Sequence, residues 1–178
     1  MQLETQRLII REYKESDIDA VFAYGGNAEN MFYMYIGMQT YEDEKNFVKE
    51  TMQNSTKTPR TDYSLLLTEK TTGKVIGGMG LMLNSELNQA ELGYVLHKDY
   101  WGKGYATEAA KKFVQFGFKT LNLHRIYAKC DSENYASYHI MEKLNMRREG
   151  NSISCRLRWQ TNQWADDYTY AILAEEYK

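Results

Sequence analysis

The sequence predicts an α+β domain built on a mixed sheet, and two observations carry that expectation. Short apolar runs are joined in some places by turn residues and in others by stretches of helical period, which does not fit a doubly wound parallel sheet. The chain has 178 residues, 43% of them hydrophobic, which is one domain's length with enough apolar material for a real core. No repeat, low-complexity tract or linker divides it.

Leu8-Ile9-Ile10 opens the order as a strand. Ser16-Asp17-Ile18-Asp19 then has the form of a capping box leading to Ile18, Val21 and Phe22 at helical spacing. Gly25-Gly26-Asn27 follows that helix, and an aromatic-rich stretch runs from Met31 to Tyr35. Thr40-Tyr41-Glu42-Asp43 starts a second helix, with Tyr41, Val48 and Met52 on one apolar face. Pro59, the only proline, marks a polar link, and the runs 63–68 and 75–79 around Thr72-Gly73 read as a hairpin. Glu91 to Leu96 makes a further strand, with Glu91, Gly93 and Val95 on one side and Leu92, Tyr94 and Leu96 on the other. From Gly104 the period turns helical, and the small residues Ala106, Ala109, Ala110 and Gly117 share a face with Phe113. A strand at Arg125 to Cys130, a helix from about Asn134 to Leu144 ended by Asn145, and strands near Ile153 to Trp159 and Tyr168 to Leu173 complete the order.

Composition excludes several function classes. The formal charge is -2, and no run of lysine or arginine gives the footprint of a nucleic-acid binder. Cys130 and Cys155 are too few for a disulfide framework, and neither they nor His97, His124 and His139 have metal-ligand spacing, so no metal is expected. The first residues lack a charged start followed by an apolar stretch, and about 18 apolar residues nowhere run together, so the expectation is a cytoplasmic chain that does not span a membrane.

Gly102-Lys103-Gly104 stands between a strand and a helix, where unpaired amides at the helix start face outward and an anion can approach closely. A pyrophosphate suits that geometry, and so does a simple tight turn. Thr107 stands where a dinucleotide loop needs its third glycine, and no Gly-Lys-Ser/Thr loop exists, so NAD and ATP lose ground.

Ala90-Glu91-Leu92-Gly93-Tyr94-Val95-Leu96 followed by Tyr100-Trp101-Gly102-Lys103-Gly104-Tyr105-Ala106-Thr107-Glu108-Ala109 resembles the GNAT acetyltransferase superfamily. The resemblance continues in Glu133-Asn134-Tyr135-Ala136-Ser137, in Glu142-Lys143-Leu144-Asn145-Met146 and in Thr5-Gln6-Arg7-Leu8-Ile9-Ile10-Arg11. The branch most like it contains the ribosomal-protein N-terminal alanine and serine acetyltransferases. It implies a single domain over residues 1–178 whose mostly antiparallel sheet is splayed between two parallel strands, Glu91 to Leu96 and Arg125 to Cys130. Acetyl-CoA is then the co-substrate, lying in the gap, with its pyrophosphate on Gly102, Lys103, Gly104, Tyr105, Ala106 and Thr107. The backbone of Val95 and Leu96 would serve the oxyanion, and Asn134 and Ser137 the pantetheine arm and sulfur. Trp101 stands where the superfamily usually has Gln or Arg and is expected to anchor the loop by packing.

The implied activity is transfer of acetyl to a primary amine. Such transfer needs a neutral amine, a stabilised oxyanion and a group that serves the leaving thiolate. Glu91 is the candidate base, with a solvated strand-end carboxylate as the alternative. The tyrosine that many members carry seven residues after Asn134 is here Met141, so Ser137 is the candidate donor to sulfur, with a mere helix-capping role as the alternative for both Asn134 and Ser137. Cys130 as an acyl-carrying nucleophile has no identifiable base beside it. Phe32, Tyr33, Tyr35, Tyr41, Trp159 and Trp164 are candidate walls of the acceptor pocket, and Asp62, Glu86, Asp166 and Asp167 candidate attractors of a cationic acceptor. The acceptor implied first is a protein or peptide α-amine. Small-molecule amines of polyamine or aminoglycoside type, and a CoA-binding module without catalysis, remain open, as does a homodimer.

Overall fold

The computed structural model describes residues 1–178 as one eight-stranded sheet flanked by four helices. The strands are β1 (Gln2–Glu4), β2 (Leu8–Arg11), β3 (Leu65–Glu69), β4 (Val75–Asn84), β5 (Gln89–Leu96), β6 (Arg125–Asp131), β7 (Arg147–Leu157) and β8 (Trp164–Leu173). The helices are α1 (Ile18–Gly25), α2 (Tyr41–Asn54), α3 (Tyr105–Lys119) and α4 (Tyr135–Lys143). Spatial order across the sheet is β1-β2-β3-β4-β5-β6-β8-β7, and only β5 and β6 run parallel. No helix is long and apolar enough to cross a membrane.

Strand alternation divides the core between the two faces. Leu65 and Leu67 of β3 join α3 and α4 in the larger cluster, while Leu66 turns to the other face and packs with Val21, Tyr24 and Val48 of α1 and α2. The small residues of α3 bring it close to the sheet: a Cβ on Gly117 would stand 2.6 Å from Ile126 Cδ1.

Several elements differ from the sequence expectation. β1 is an additional edge strand, and β7 begins at Arg147 because it is an outer strand with mostly exposed side chains, so no apolar alternation announces it. Ser16 does not cap α1. Asp17 is taken instead by the Arg11 guanidinium at 2.7 and 2.8 Å and by the Lys14 amide at 2.8 Å. The Thr40 box is present, with Thr40 Oγ1 accepting from the Asp43 amide and Asp43 accepting from the Thr40 amide at 2.9 Å. α2 nevertheless buries Glu44, Val48 and Thr51, leaving Tyr41 and Met52 exposed.

Glu44 has no cation beside it, and burial, with the neighbouring Asp43 charge, pushes its carboxyl up to about 7. An unfolded glutamate ionises near 4.5, so between that pH and about 7 the unfolded state sheds a proton that the folded state keeps, and stability falls as pH rises. The melting temperature of Glu44→Gln is therefore expected to decline less than the parent's from pH 5 to 7.5. Parallel curves would show that Glu44 ionises freely.

Candidate active site

β5 and β6 are paired only at Gln89 with Arg125, Ala90 with Ile126 and Glu91 with Tyr127. Beyond Glu91 they part, because β6 stays with β8 as far as Asp131 while β5 stays with β4 as far as Leu96. The splay read from the resemblance is present. Which amides face it follows from the β4–β5 register. The His97 amide bonds Ile76 O at 2.8 Å and that of Leu83 turns away to Thr61 O, so Val95 lies in a hydrogen-bonded pair with Gly78. Of the two amides expected to serve an oxyanion, that of Val95 is therefore committed to β4. The Leu96 amide, and with it that of Tyr94, faces the gap.

The glycine loop lies at the mouth of this gap. Gly102 and Gly104 have φ of 72° and 80°, and Gly104 is the N-cap of α3 with no side chain capping the helix. The first-turn amides of Tyr105, Ala106 and Thr107 thus have no capping side chain and stand at the positive end of a 15-residue helix. A Cβ on Gly102 would meet nothing within 4 Å, so an anion has room to approach. Trp101 anchors the loop through an indole hydrogen bond of 2.7 Å to Leu96 O more than through the expected packing, since the residue is 46% exposed.

A second anchor was not expected from the sequence. Arg7 donates to Lys103 O at 2.9 Å, pairs with Glu108 at 2.6 Å and lies 4.2 Å over the Tyr105 ring. It holds the Lys103 carbonyl to the protein side and adds a cation at the loop. The only sequence signal for it is its place in the stretch Thr5 to Arg11. The Lys103 ammonium lies 5.3 Å over the Tyr100 ring.

Asn134 is the N-cap of α4, its Oδ1 accepting the Ser137 amide at 3.1 Å. The Ser137 hydroxyl does no capping. It is buried and lies 2.9 Å from Tyr94 Oη, while Met141, one turn later, is packed in the core. Cys130 is beside Ser137, and burial pushes its thiol up to about 12, so almost no thiolate exists at neutral pH. Glu91 projects from the opposite face of β5, half-buried, next to Tyr127 of β6. Burial first, and then the Glu91 carboxylate, raise the Tyr127 phenol above its usual range.

Beyond Tyr127 on that face stand Lys129 and Asp131, with Asp167 opposite Asp131. Asp131 holds Arg156 at 2.6 Å and Arg158 at 2.8 Å, and Asp167 holds Arg156 at 3.0 Å. The Arg156 guanidinium lies 4.7 Å over the Tyr35 ring, and Trp159 donates to Met31 O at 3.2 Å. The aromatic stretch is thereby fastened to the β7–β8 turn. It gathers Phe32, Tyr33, Tyr35 and Trp159, but not Tyr41, which packs on Phe22, nor Trp164, which is 65% exposed. Asp62 accepts from the Ser64 amide and hydroxyl and Asp166 from the Ser154 amide, which fixes both carboxylates in place.

A family model described as an acetyltransferase (GNAT) domain matches residues 7–147. The chain belongs to the GNAT acetyltransferase family. It is 39% identical over 178 residues to an uncharacterized N-acetyltransferase, YnaD, of Bacillus subtilis, covering 99% of each chain. A solved GNAT-family acetyltransferase from Bacillus anthracis superposes with a TM-score of 0.87 at 36% identity, covering 99% of this chain and all of that one. A spermidine N-acetyltransferase from Vibrio cholerae, solved with CoA and spermine, shares the fold with a TM-score of 0.84 at 19% identity, covering 96% and 98% of the two chains. The protein is accordingly a GNAT-type N-acetyltransferase.

Proposed function

We propose that the chain moves acetyl from acetyl-CoA directly onto a primary amine, and that its acceptor is the α-amine of a protein or peptide. The observation that carries this reading is the gap between β5 and β6, with Glu91 on one face of the sheet, Ser137 on the other, and the open amides of α3 at its mouth. An ammonium arriving along the Glu91 face loses its extra proton to solvent, and the neutral amine is oriented toward that carboxylate, directly or through water. Its nitrogen then attacks the thioester carbon, whose developing oxyanion accepts a hydrogen bond from the Leu96 amide, and the proton that the nitrogen sheds on becoming an amide passes to Glu91. As the C–S bond breaks, the sulfur leaves with the electron pair and accepts a hydrogen bond from Ser137. The thiolate takes its proton from solvent as CoA departs. The inert Cys130 thiol favours direct transfer over an acyl-cysteine.

Charge favours a peptide amine over a polyamine. Asp131, Asp167 and Glu133 share Arg156 and Arg158, and Lys129 adds a third cation to that face, so these charges balance and a polycation meets no excess of carboxylates in that cluster. Thiol release from acetyl-CoA, measured with N-terminal peptides, polyamines and aminoglycosides, tests this choice. Turnover with polyamines alone would overturn the acceptor assignment, and CoA binding without any turnover would favour a non-catalytic module. Glu91→Gln is expected to lower kcat about a hundredfold, the ordinary scale of a general base, with acetyl-CoA KM little changed. A rate and pH profile equal to the parent's would remove Glu91 from the mechanism.

A further inference from the structure

α4 buries two residues against the sheet, Ser137 and Met141, one turn apart. Position 141 brings a thioether where the resemblance leads one to look for a phenol. A phenol does reach this face of α4, from β5 instead: the Tyr94 hydroxyl donates to Ser137 O at 3.0 Å, and its oxygen lies 2.9 Å from Ser137 Oγ, a contact in which either oxygen can be the donor. With Cys130 on β6, the three side chains bridge the two strands where they have parted. We propose that Tyr94 is a positioning residue, whose one hydroxyl proton is shared between Ser137 O and Ser137 Oγ, leaving the serine's own proton to turn into the gap toward the cofactor sulfur.

The alternatives open to a serine near a helix start explain why such a partner matters. Its hydroxyl can bond back to a backbone carbonyl of its own turn, which would point the proton away from the gap. A donor on the lone pair of Oγ opposes that rotamer. Burial raises the Tyr94 phenol well above its ordinary range, with the Cys130 side chain adding to it and the Ser137 contact opposing it. Tyr94 therefore keeps its proton throughout the active pH range and serves as a fixed donor. A serine hydroxyl is also a far weaker acid than a thiol, so Ser137 stabilises the leaving thiolate by a hydrogen bond and transfers no proton outright. No group changes its ionisation in this arrangement, and the amine proton leaves by Glu91.

This inference rests on Ser137 as the donor to sulfur, and a double-mutant cycle separates the two ideas. Tyr94→Phe removes one oxygen and keeps the ring in the core. It is expected to lower kcat about tenfold, the scale of one oriented hydrogen bond, with acetyl-CoA KM nearly unchanged and the melting temperature lowered by only a few degrees. Ser137→Ala should lose at least as much, and Tyr94→Phe on top of Ser137→Ala should cost nothing further. Multiplying losses would mean that Tyr94 acts independently of Ser137, and a full rate for Tyr94→Phe beside a slow Ser137→Ala would overturn the positioning role alone. A full rate for Ser137→Ala would overturn both.

Discussion

Gly104→Trp is expected to abolish acetyl-CoA binding, by at least about 100-fold, in a protein that still folds. Each bond between a backbone amide and a phosphate oxygen is a charge-assisted contact worth about 1.5–3 kcal/mol, so losing even two accounts for that factor. Gly104 is where they are most exposed to interference, because it is the N-cap of α3 and the residue directly before the Tyr105, Ala106 and Thr107 amides. A Cβ built there would lie 3.5 Å from Arg7 Nη2, an ordinary contact, so the first atom of a side chain fits and the indole beyond it must occupy the space in front of the helix. The φ of 80° adds a backbone cost of about 1–2 kcal/mol for any residue with a Cβ. Gly104→Ala carries that strain without the indole and should retain most of its affinity. Calorimetric titration with CoA, together with the thermal shift CoA produces, measures both variants. A folded tryptophan variant that binds CoA like the parent would remove the loop from the pyrophosphate site.

The contrast between this loop and the rest of the site shows what a sequence can carry. Asn145 is legible as a left-handed helix end because positive φ has few residue types to choose from, and Gly102 and Gly104, legible as a place of close anion approach, adopt positive φ as well. Alternation along β5 correctly put Glu91 and Tyr94 on opposite faces. It could not place Tyr94 against a hydroxyl 43 residues later, because that contact depends on where the β6–α4 turn sets the helix. The Val95 amide was misassigned for a related reason: alternation decides amide direction only once the partner strand and register are known. Ser16 looked like a cap because its residue type fits, and the Arg11–Asp17 pair displaced it through a strand the local pattern does not include. Arg7, Arg156 and Arg158 belong to the same class, since a solvated arginine and one that organises a site look alike until the fold closes.

Asp131→Asn should destabilise the protein by about 3–5 kcal/mol, the cost of leaving a buried ion-pair partner uncompensated. The Asp131 side chain is fully buried and takes two guanidinium groups, from Arg156 and Arg158, which lie 25 and 27 residues away in sequence. An amide fills the same space but offers one acceptor and no charge. At about 2–4 °C per kcal/mol for a chain of this size, a drop of roughly 10 °C in melting temperature is expected. The pH dependence has a definite sign. Although burial alone would raise it, the Arg158 and Arg156 contacts hold the Asp131 carboxyl below its ordinary value of 3.8. Its stabilisation is therefore complete above that pH and is lost as pH falls through the lower folded value, so the gap between parent and variant should close in acid. The same arginines lead to the acceptor side, Arg156 through Tyr35 and Arg158 through the turn that holds Trp159 on Met31. The variant's acceptor KM should consequently rise while its acetyl-CoA KM, set at the far end of the gap, stays near the parent's. A melting temperature within 2 °C of the parent's at pH 7, read by calorimetry, would show that the network does not hold this wall in place.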